Sequence, residues 1–208
     1  MYNNIQVIFW DFDGVILNSN SVRDYGFREV LKKFPEKQVQ QLITYHILNG
    51  GLSRYVKFRY FFEVIRKEAI TKRQVQDLSA HFSDIMLKRL IDPSLLIKET
   101  NNFIRQNNNN YAMHIVSGSD QKELRTICKE LNIDQYFKSI HGSPKPKIEW
   151  IKELLNIHQY SVDHCVLIGD STNDKEAAIG NNIKFQGYNN PILEKGSETY
   201  FIFDPLSL

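Results

Sequence analysis

The alternation of apolar and polar residues divides the chain into a short first strand, a long helical segment and a region of mixed strands and helices. The first strand is the apolar run Ile5–Trp10, which is rich in β-branched and aromatic residues and stops abruptly at charge. Between Val22 and about Leu90, apolar residues recur at helical spacing, and breaks at Pro35, at 49–51 and at Thr71 predict about four helices. We therefore expect a helical unit to follow the first strand.

The second half of the chain changes to short apolar runs that alternate with amphipathic helices. A helix is expected from about Ser94 to Arg105, and the polar run 106–110 ends it as a loop. The strands predicted after this loop are Ala112–Val116, Ser139–His141, Cys165–Ile168, Ile183–Gln186 and Phe201–Phe203. The helices predicted between them are Gln121–Leu131, Ile148–Ile157 and Asp174–Ile179. Such alternation is typical of an α/β fold whose parallel sheet is covered on both faces.

Composition and charge exclude several classes of protein. The 208 residues, 42% of them hydrophobic, suit a globular protein of one domain with an insertion, or of two small domains. The net charge of +2 is too balanced to indicate nucleic acid or an anionic membrane as the main partner, and no apolar run approaches a membrane span. Cys128 and Cys165 lie in apolar segments, and the first residues lack a signal-peptide pattern, so we expect a cytoplasmic protein with reduced, buried thiols.

The first candidate chemical group is the pair Asp11 and Asp13, which directly follows the first strand. Open α/β sheets bind ligands at the carboxyl ends of their strands. Two converging carboxylates repel each other unless a cation lies with them or one keeps a proton, so the pair suits a divalent metal, acid–base chemistry or both. The alternative is an aspartate turn that closes the strand, with Gly14 allowing the backbone to bend.

A second group follows the strand Ala112–Val116. Ser117 and Gly118 place a hydroxyl and a glycine before a predicted helix, an arrangement that can bind an anion such as phosphate. Ser119 and Asp120 equally suit plain helix caps. Both readings stay open from the sequence.

A third group combines acidic residues after a later strand with lysines before a helix. Asp170 follows a predicted strand and can share a metal with Asp11, while Asp174 can cap its helix or orient other groups. These hard oxygen ligands suit Mg²⁺ better than zinc. Lysine at a helix start opposes the helix dipole, so at least one of Lys145 and Lys147 is better explained as neutralising a phosphate and a carboxylate.

The order of these motifs resembles that of the haloacid dehalogenase-like (HAD) hydrolase superfamily. The order is a strand with Asp-x-Asp-Gly, a strand with Ser-Gly-Ser, a lysine before a helix, and a strand with Gly-Asp-x-x-x-Asp. The resemblance implies a Rossmann-like parallel sheet core at 1–19 and 92–208, with an inserted α-helical cap at 20–91. The inserted helices and the sequence Gly51-Leu52-Ser53-Arg54 are similar to the phosphoglycolate phosphatase and β-phosphoglucomutase-like branch.

The resemblance also implies a mechanism, the Mg²⁺-dependent hydrolysis of a phosphate ester through an aspartyl-phosphate. Asp11 would be the nucleophile, and Asp13, kept protonated by its neighbour's charge, would be the general acid and base. Ser117 and Gly118 would bind the phosphoryl group. The implied metal ligands and their support are Asp11, the Asp13 backbone carbonyl, Asp170 and, behind it, Asp174. Dehalogenases of the superfamily lack the second aspartate, so its presence argues against carbon–halogen hydrolysis.

Two positions are left open for the lysine, and two roles for an arginine of the cap. Lys147 abuts the apolar helix pattern with a spacing similar to phosphoserine phosphatase-like members, whereas Lys145, in Lys-Pro, resembles the phosphoglycolate phosphatase branch. We favour Lys147 as the lysine that contacts phosphate and nucleophile. Arg54 either binds a second anionic group of the substrate or is an exposed arginine that follows Ser53 as helix N-cap.

The sequence thus predicts a cytoplasmic phosphatase that acts on a small phosphorylated metabolite, as a monomer or homodimer, with no nucleic acid or membrane as partner. Two other functions stay open. One is a phosphoglucomutase-like phosphotransferase, whose cap would exclude water while a sugar bisphosphate reorients. The other is a non-enzymatic module that binds a phosphorylated ligand, although a pure binder has no need of two facing carboxylates.

Overall fold

A parallel sheet of five strands forms the centre of the computed structural model, which describes residues 4–190 and residue 193. The strand order is β3-β2-β1-β4-β5, and each neighbouring pair is parallel. The strands are β1 Val7–Trp10, β2 Ala112–Asp120, β3 Ser139–Ser143, β4 Cys165–Gly169 and β5 Lys184–Gly187. The predicted parallel α/β fold is confirmed, while the strand predicted at Phe201–Phe203 lies outside the described residues.

The first strand is central because its side chains are apolar on both faces. Ile8 and Trp10 are buried in the larger hydrophobic core, and Val7 and Phe9 belong to a second core on the opposite face. Successive side chains of a strand point to opposite faces, so a continuous apolar run fits only a strand covered on both sides.

Helices from the second half of the chain cover the two faces of this sheet. Leu124 and Ile127 pack into the larger core, and Ile151 and Ala178 pack into the second. The helices concerned are α5 Lys98–Asn107, α6 Gln121–Glu130, α7 Lys147–His158 and α8 Thr172–Gly180. Coverage of both faces is what the alternating pattern predicts.

Four helices lie between β1 and α5, as expected from the spacing of apolar residues. They are α1 Asn20–Val30, α2 Glu36–Leu48, α3 Arg54–Tyr60, extended by a π-helical turn at Phe61–Arg66, and α4 Lys72–Leu90. Their packing centres on Phe27, whose ring centroid lies 4.7 Å from that of Phe82 and 5.4 Å from that of Phe58. We call these four helices the helical insertion.

The chain enters and leaves the helical insertion at one place. Leu17 and Leu96 form an antiparallel bridge, and the Ile97 amide donates to the Ile16 carbonyl at 3.0 Å. The two connecting segments therefore run side by side. The boundaries of core and cap given above stay a prediction, which this pairing supports.

Some element ends differ from the predictions for local reasons. Strand β2 continues past Val116 to Asp120, because an irregularity lets Asp120 pair with Ser143 of β3. Helix α5 begins at Lys98 rather than near Ser94, where a short 3₁₀ turn starting at Pro93 comes first. Both cysteines carry free thiols and are buried, as expected. In the described part of the chain, no helix is both long enough and apolar enough to cross a bilayer.

Candidate active site

The carboxyl ends of three adjacent strands bring the first candidate residues together. Trp10, the last residue of β1, pairs with Ile115 of β2 on one side and with Ile168 of β4 on the other. Because the strands are parallel and in register, the segments that follow them leave the sheet at the same edge. Asp11, Ser117 and Asp170 therefore line one cavity.

The turn after β1 places the backbone of Gly14 against Asp170. Gly14 has a φ of +78°, and a Cβ atom at this position would lie 2.0 Å from Asp170 Oδ2. No side chain fits there, so glycine is required both by the backbone conformation and by the close approach. Asn189 and Asn190, which follow β5, bind this region by donating to the Gly14 and Asp170 carbonyls at 3.3 and 2.7 Å.

A single buried lysine joins two of the candidate aspartates. Lys147 is the first residue of α7, and its Nζ lies 2.9 Å from Asp11 Oδ1 and also donates to Asp174 Oδ1. Burial alone would lower the pKa of Lys147, but the carboxylates of Asp11 and Asp174 outweigh it and raise the pKa above its usual value. Asp174 is held in turn by Ser171, whose amide and hydroxyl donate to Asp174 Oδ2 at 3.0 and 2.7 Å.

The other lysine of the loop points elsewhere. Lys145 Nζ pairs with Glu153 and lies 4.0 Å from the ring centroid of Trp150. The structure thus brings Lys147 to the candidate site and does not bring Lys145 there.

The acidic cluster carries more negative charge than this lysine compensates. Burial, with Asp174 next in size, raises the pKa of Asp11 well above its usual value. Burial and the same neighbour raise the pKa of Asp170 to about 7. Asp11, Asp170 and Asp174 each offer a carboxylate oxygen, and these atoms lie within 4.8 Å of one another. Hard oxygen atoms with raised pKa values fit a divalent cation such as Mg²⁺.

Asp13 has a different environment from the one we expected. Burial by itself would raise the pKa of Asp13, but it is outweighed by the charge of Arg23 and by hydrogen bonds from Ser119, Ser19 and Arg23, so the pKa is lowered. Arg23 Nε lies 3.0 Å from Asp13 Oδ1, and the Ser119 hydroxyl donates to Oδ2 at 2.5 Å. The expectation that a neighbouring charge keeps Asp13 protonated is therefore wrong for this arrangement. The charged side chain that contacts Asp13 is the cationic Arg23.

The residues that bind Asp13 were not found by sequence reasoning. The sequence offers both Ser119 and Asp120 as helix caps, and Asp120 is the one that caps α6, by accepting from the amides of Lys122 and Glu123. The Ser119 hydroxyl is therefore free of a capping role and donates its hydrogen bond to Asp13. Arg23 lies in the largely polar helix α1, where nothing in the sequence separates it from exposed charged residues, and its 5% exposure is evident only in the structure.

Ser117 and Gly118 lie under a loop of the helical insertion. Ser117 is buried, and its hydroxyl accepts from the Ser119 amide at 3.1 Å. A Cβ atom on Gly118 would lie 2.0 Å from the Gly51 carbonyl oxygen, so the loop between α2 and α3 packs directly on this strand end. The cavity under this loop has a volume of about 370 Å³.

Arg54 lines the cavity but is neither exposed nor unpaired. Ser53 is the N-cap of α3, as expected, and accepts from the Val56 amide. The Arg54 guanidinium donates to Glu123 Oε2 at 2.6 Å and to the Ser83 hydroxyl at 2.8 Å. Glu123 also pairs with Arg23, so one carboxylate of α6 holds arginines from two helices of the insertion.

The fold, the strand-end carboxylates and the lysine agree with the family that the sequence matches. A family model described as haloacid dehalogenase-like hydrolase matches residues 7–188. The chain belongs to this family and is a hydrolase. No curated protein matches the chain in a sequence comparison.

Solved structures share the fold over nearly the whole chain. A predicted phosphatase from Clostridium acetobutylicum is 13% identical with a TM-score of 0.77, and the match covers 98% of this chain and 96% of that one. A predicted phosphoglycolate phosphatase from Haemophilus somnus is 18% identical with a TM-score of 0.73, over 96% and 94% of the two chains. CbbY from Rhodobacter sphaeroides, a variant in complex with xylulose-(1,5)bisphosphate, is 14% identical with a TM-score of 0.73, over 95% and 93%. At such low identity, the likeness establishes the fold.

Proposed function

We propose that this hydrolase is a Mg²⁺-dependent phosphomonoesterase that acts on a small phosphorylated metabolite through an aspartyl-phosphate. The observation that carries the proposal is the position of Asp11, a buried carboxylate at the end of the central strand that contacts Lys147 and faces the cavity. A carboxylate beside a fixed cation and a bound metal can attack phosphorus while the charge of the phosphoryl oxygens is spread.

In the first step, an Asp11 oxygen would form a bond to phosphorus as the bond from phosphorus to the ester oxygen breaks. Lys147, together with Ser117 and the backbone at Gly118, would bind the phosphoryl oxygens. In the second step, water would attack the same phosphorus, which releases Asp11 and inorganic phosphate. The split into two steps replaces one difficult displacement with two easier ones.

Asp13 would move the protons of both steps, to the leaving alkoxide first and from the attacking water afterwards. Its lowered pKa favours the ionised form, which the second step requires. The first step requires the protonated form. Among the described residues, Asp13 Oδ2 accepts a hydrogen bond only from the Ser119 hydroxyl, so this oxygen has a lone pair left to carry that proton.

The oxygen ligands for Mg²⁺ would be Asp11, Asp170 and the Asp13 backbone carbonyl, with Asp174 in support. Asp174 is unsuited to be a principal ligand because both its oxygens already accept hydrogen bonds, from Lys147 and from Ser171. When bound, the ion neutralises the carboxylates and stabilises charge on the phosphoryl oxygens.

Residues 20–91 would act as the cap of this enzyme, with 1–19 and 92–208 as its core. The cap loop over Gly118 and the paired connections at Leu17 and Leu96 support this division. A closed cap keeps bulk water from the reaction and strengthens the electrostatic interactions within the site.

Turnover of p-nitrophenyl phosphate with Mg²⁺ tests the proposal. We expect Asp11→Asn to reduce the rate at least about 1,000-fold, and the variant should fold because it removes a buried negative charge. Asp163→Asn, which changes an exposed aspartate outside the cavity, is the matched control and should keep the wild-type rate. Wild-type turnover by Asp11→Asn would refute the role of Asp11.

A further inference from the structure

The cavity has charges of opposite sign at its two ends. The sheet end carries the carboxylates of Asp11 and Asp170, whereas the helical insertion contributes three cationic side chains, Arg23, Arg54 and Lys57, against one carboxylate, Asp24. These three residues are between 2% and 5% exposed. Buried cations are costly unless they are paired, so the partners of each one indicate what the cavity is built to hold.

Arg54, for which the sequence left the binding of a second anion as one of two roles, is already paired. Glu123 and Ser83 take hydrogen bonds from its Nη1, and its guanidinium carbon lies 4.4 Å from the ring centroid of Phe82. An anionic ligand would have to compete with the buried carboxylate of Glu123 for this group.

Arg23 is only partly paired. Its Nε donates to Asp13, and its Nη1 donates to Glu123. Its Nη2 is fully buried and has no hydrogen-bond partner among the described residues. A buried N–H group without an acceptor is unfavourable, and an acceptor on a ligand would remove that cost.

Lys57 is the least compensated of the three. Its Nζ lies 2.6 Å from His46 Nδ1, and His46 Nε2 lies 3.4 Å from Asp24 Oδ1. Among the residues that the structure describes, no carboxylate forms an ion pair with Lys57. Burial lowers the pKa of Lys57 to about 7, and an anion placed against Nζ would favour the charged ammonium again.

We propose that Lys57 Nζ and Arg23 Nη2 form a subsite for a second oxyanion on the substrate, and that Arg54 holds Glu123 in place rather than binding this group. The inference rests on the proposed function and narrows its substrate class to small phosphate esters whose alcohol part also carries a carboxylate or a second phosphate. The phosphoryl group lies at the end with Asp11 and Lys147, and the second oxyanion lies against the helical insertion. His46 fixes the position of Lys57, and Asp24 holds His46.

Pairs of esters that differ in one oxyanion test the subsite. The carboxylate pair is 3-phosphoglycerate and glycerol 3-phosphate, and the phosphate pair is ribulose 1,5-bisphosphate and ribulose 5-phosphate. Affinity is measured by titration calorimetry with Mg²⁺ and the Asp11→Asn variant, and kcat/KM is measured with the active enzyme. We expect the doubly anionic member of one pair to bind at least tenfold more tightly, and the pair that shows this identifies the oxyanion.

Lys57→Met keeps the unbranched side chain up to the position of Cε and removes the charged ammonium group. We expect it to abolish the preference within that pair while changing kcat/KM for p-nitrophenyl phosphate less than threefold, and Lys57→Arg should restore part of the preference. Arg59→Met is the control, because Arg59 lies on the same helix and pairs with the partly exposed Glu63. A thermal melt establishes that each variant is folded.

The outcomes separate the two proposals. The subsite would be overturned if the enzyme turns over p-nitrophenyl phosphate but prefers neither member of either ester pair. It would also be overturned if Lys57→Met lowers kcat/KM equally for all esters. In both cases the phosphatase proposal would stand. Absence of turnover with every ester would overturn the phosphatase, and the calorimetric preference would then decide the subsite by itself.

Discussion

Lys147 Nζ lies 2.9 Å from Asp11 Oδ1 and also binds Asp174, so one buried ammonium group joins the end of β1 to the start of α8. The contact explains how two carboxylates can be buried in the same site. It also distinguishes two lysines that are only two positions apart in the sequence.

Replacement by methionine should affect turnover strongly at Lys147 and hardly at all at Lys145. Lys147→Met removes the cation that contacts Asp11, so we expect p-nitrophenyl phosphate turnover to fall at least about 100-fold. Without Mg²⁺, urea denaturation should show a loss of about 3 kcal/mol, because a buried ion pair loses one partner. Lys145→Met breaks a partly exposed contact with Glu153 and a contact with the Trp150 ring, neither of which lines the cavity, and should keep turnover within twofold of wild type. The reverse pattern would show that the lysine is misassigned.

Removal of the metal should stop turnover and lower stability. The raised pKa values of Asp11 and Asp170 mark negative charge that a divalent cation would compensate, so Mg²⁺ should raise the melting temperature and a chelator should reverse this. We expect Asp170→Asn to raise the Mg²⁺ concentration for half-maximal turnover at least about tenfold. Full activity in the presence of a chelator would contradict the metal assignment.

A methyl group on Gly118 should keep the insertion loop away from the site. The added Cβ would lie 2.0 Å from the Gly51 carbonyl, and backbone cannot move aside as a side chain can. We expect Gly118→Ala to lower kcat/KM at least about tenfold with little change in melting temperature. Gly50→Ala is the matched control, since its nearest neighbour is Ser171 Cβ at 3.2 Å. An unchanged kcat/KM for Gly118→Ala would mean that close packing of this loop is not needed.

The buried His46 should make the protein less stable in mild acid. Burial, with the Lys57 charge next, lowers the pKa of His46 from 6.5 to about 3, so below pH 6.5 the unfolded chain takes up a proton that the folded chain does not. Unfolding free energy therefore falls as pH decreases, by roughly 2 kcal/mol from this group between about pH 7.5 and pH 5. In His46→Asn, the amide oxygen can still accept from Lys57. Urea titrations of this variant should show an unfolding free energy that falls by roughly 2 kcal/mol less over the same pH range. An identical pH dependence in both proteins would refute this account.

The parallel sheet and the location of the site follow from local patterns in the sequence. Short apolar runs alternate with amphipathic helices, and the chemical residues Asp11, Ser117 and Asp170 each stand directly after or at the end of such a run. Carboxyl ends of parallel strands lie at one edge of the sheet, so the segments after them leave the sheet on the same side. The strand order, which places β1 between β2 and β4, then makes these segments neighbours. The resemblance to the HAD family adds roles to residues that the pattern had already grouped.

The tertiary structure alone decided which partners these residues have. Whether Lys145 or Lys147 reaches Asp11 depends on where α7 begins and on the position of Asp174, which is 27 residues from Lys147 in the chain. The pKa direction of Asp13 depends on Arg23, which only the packing of the insertion brings within 3.0 Å. Apolar periodicity is a property of neighbouring residues and can be read along the chain, whereas an electrostatic environment sums over groups that meet only after folding.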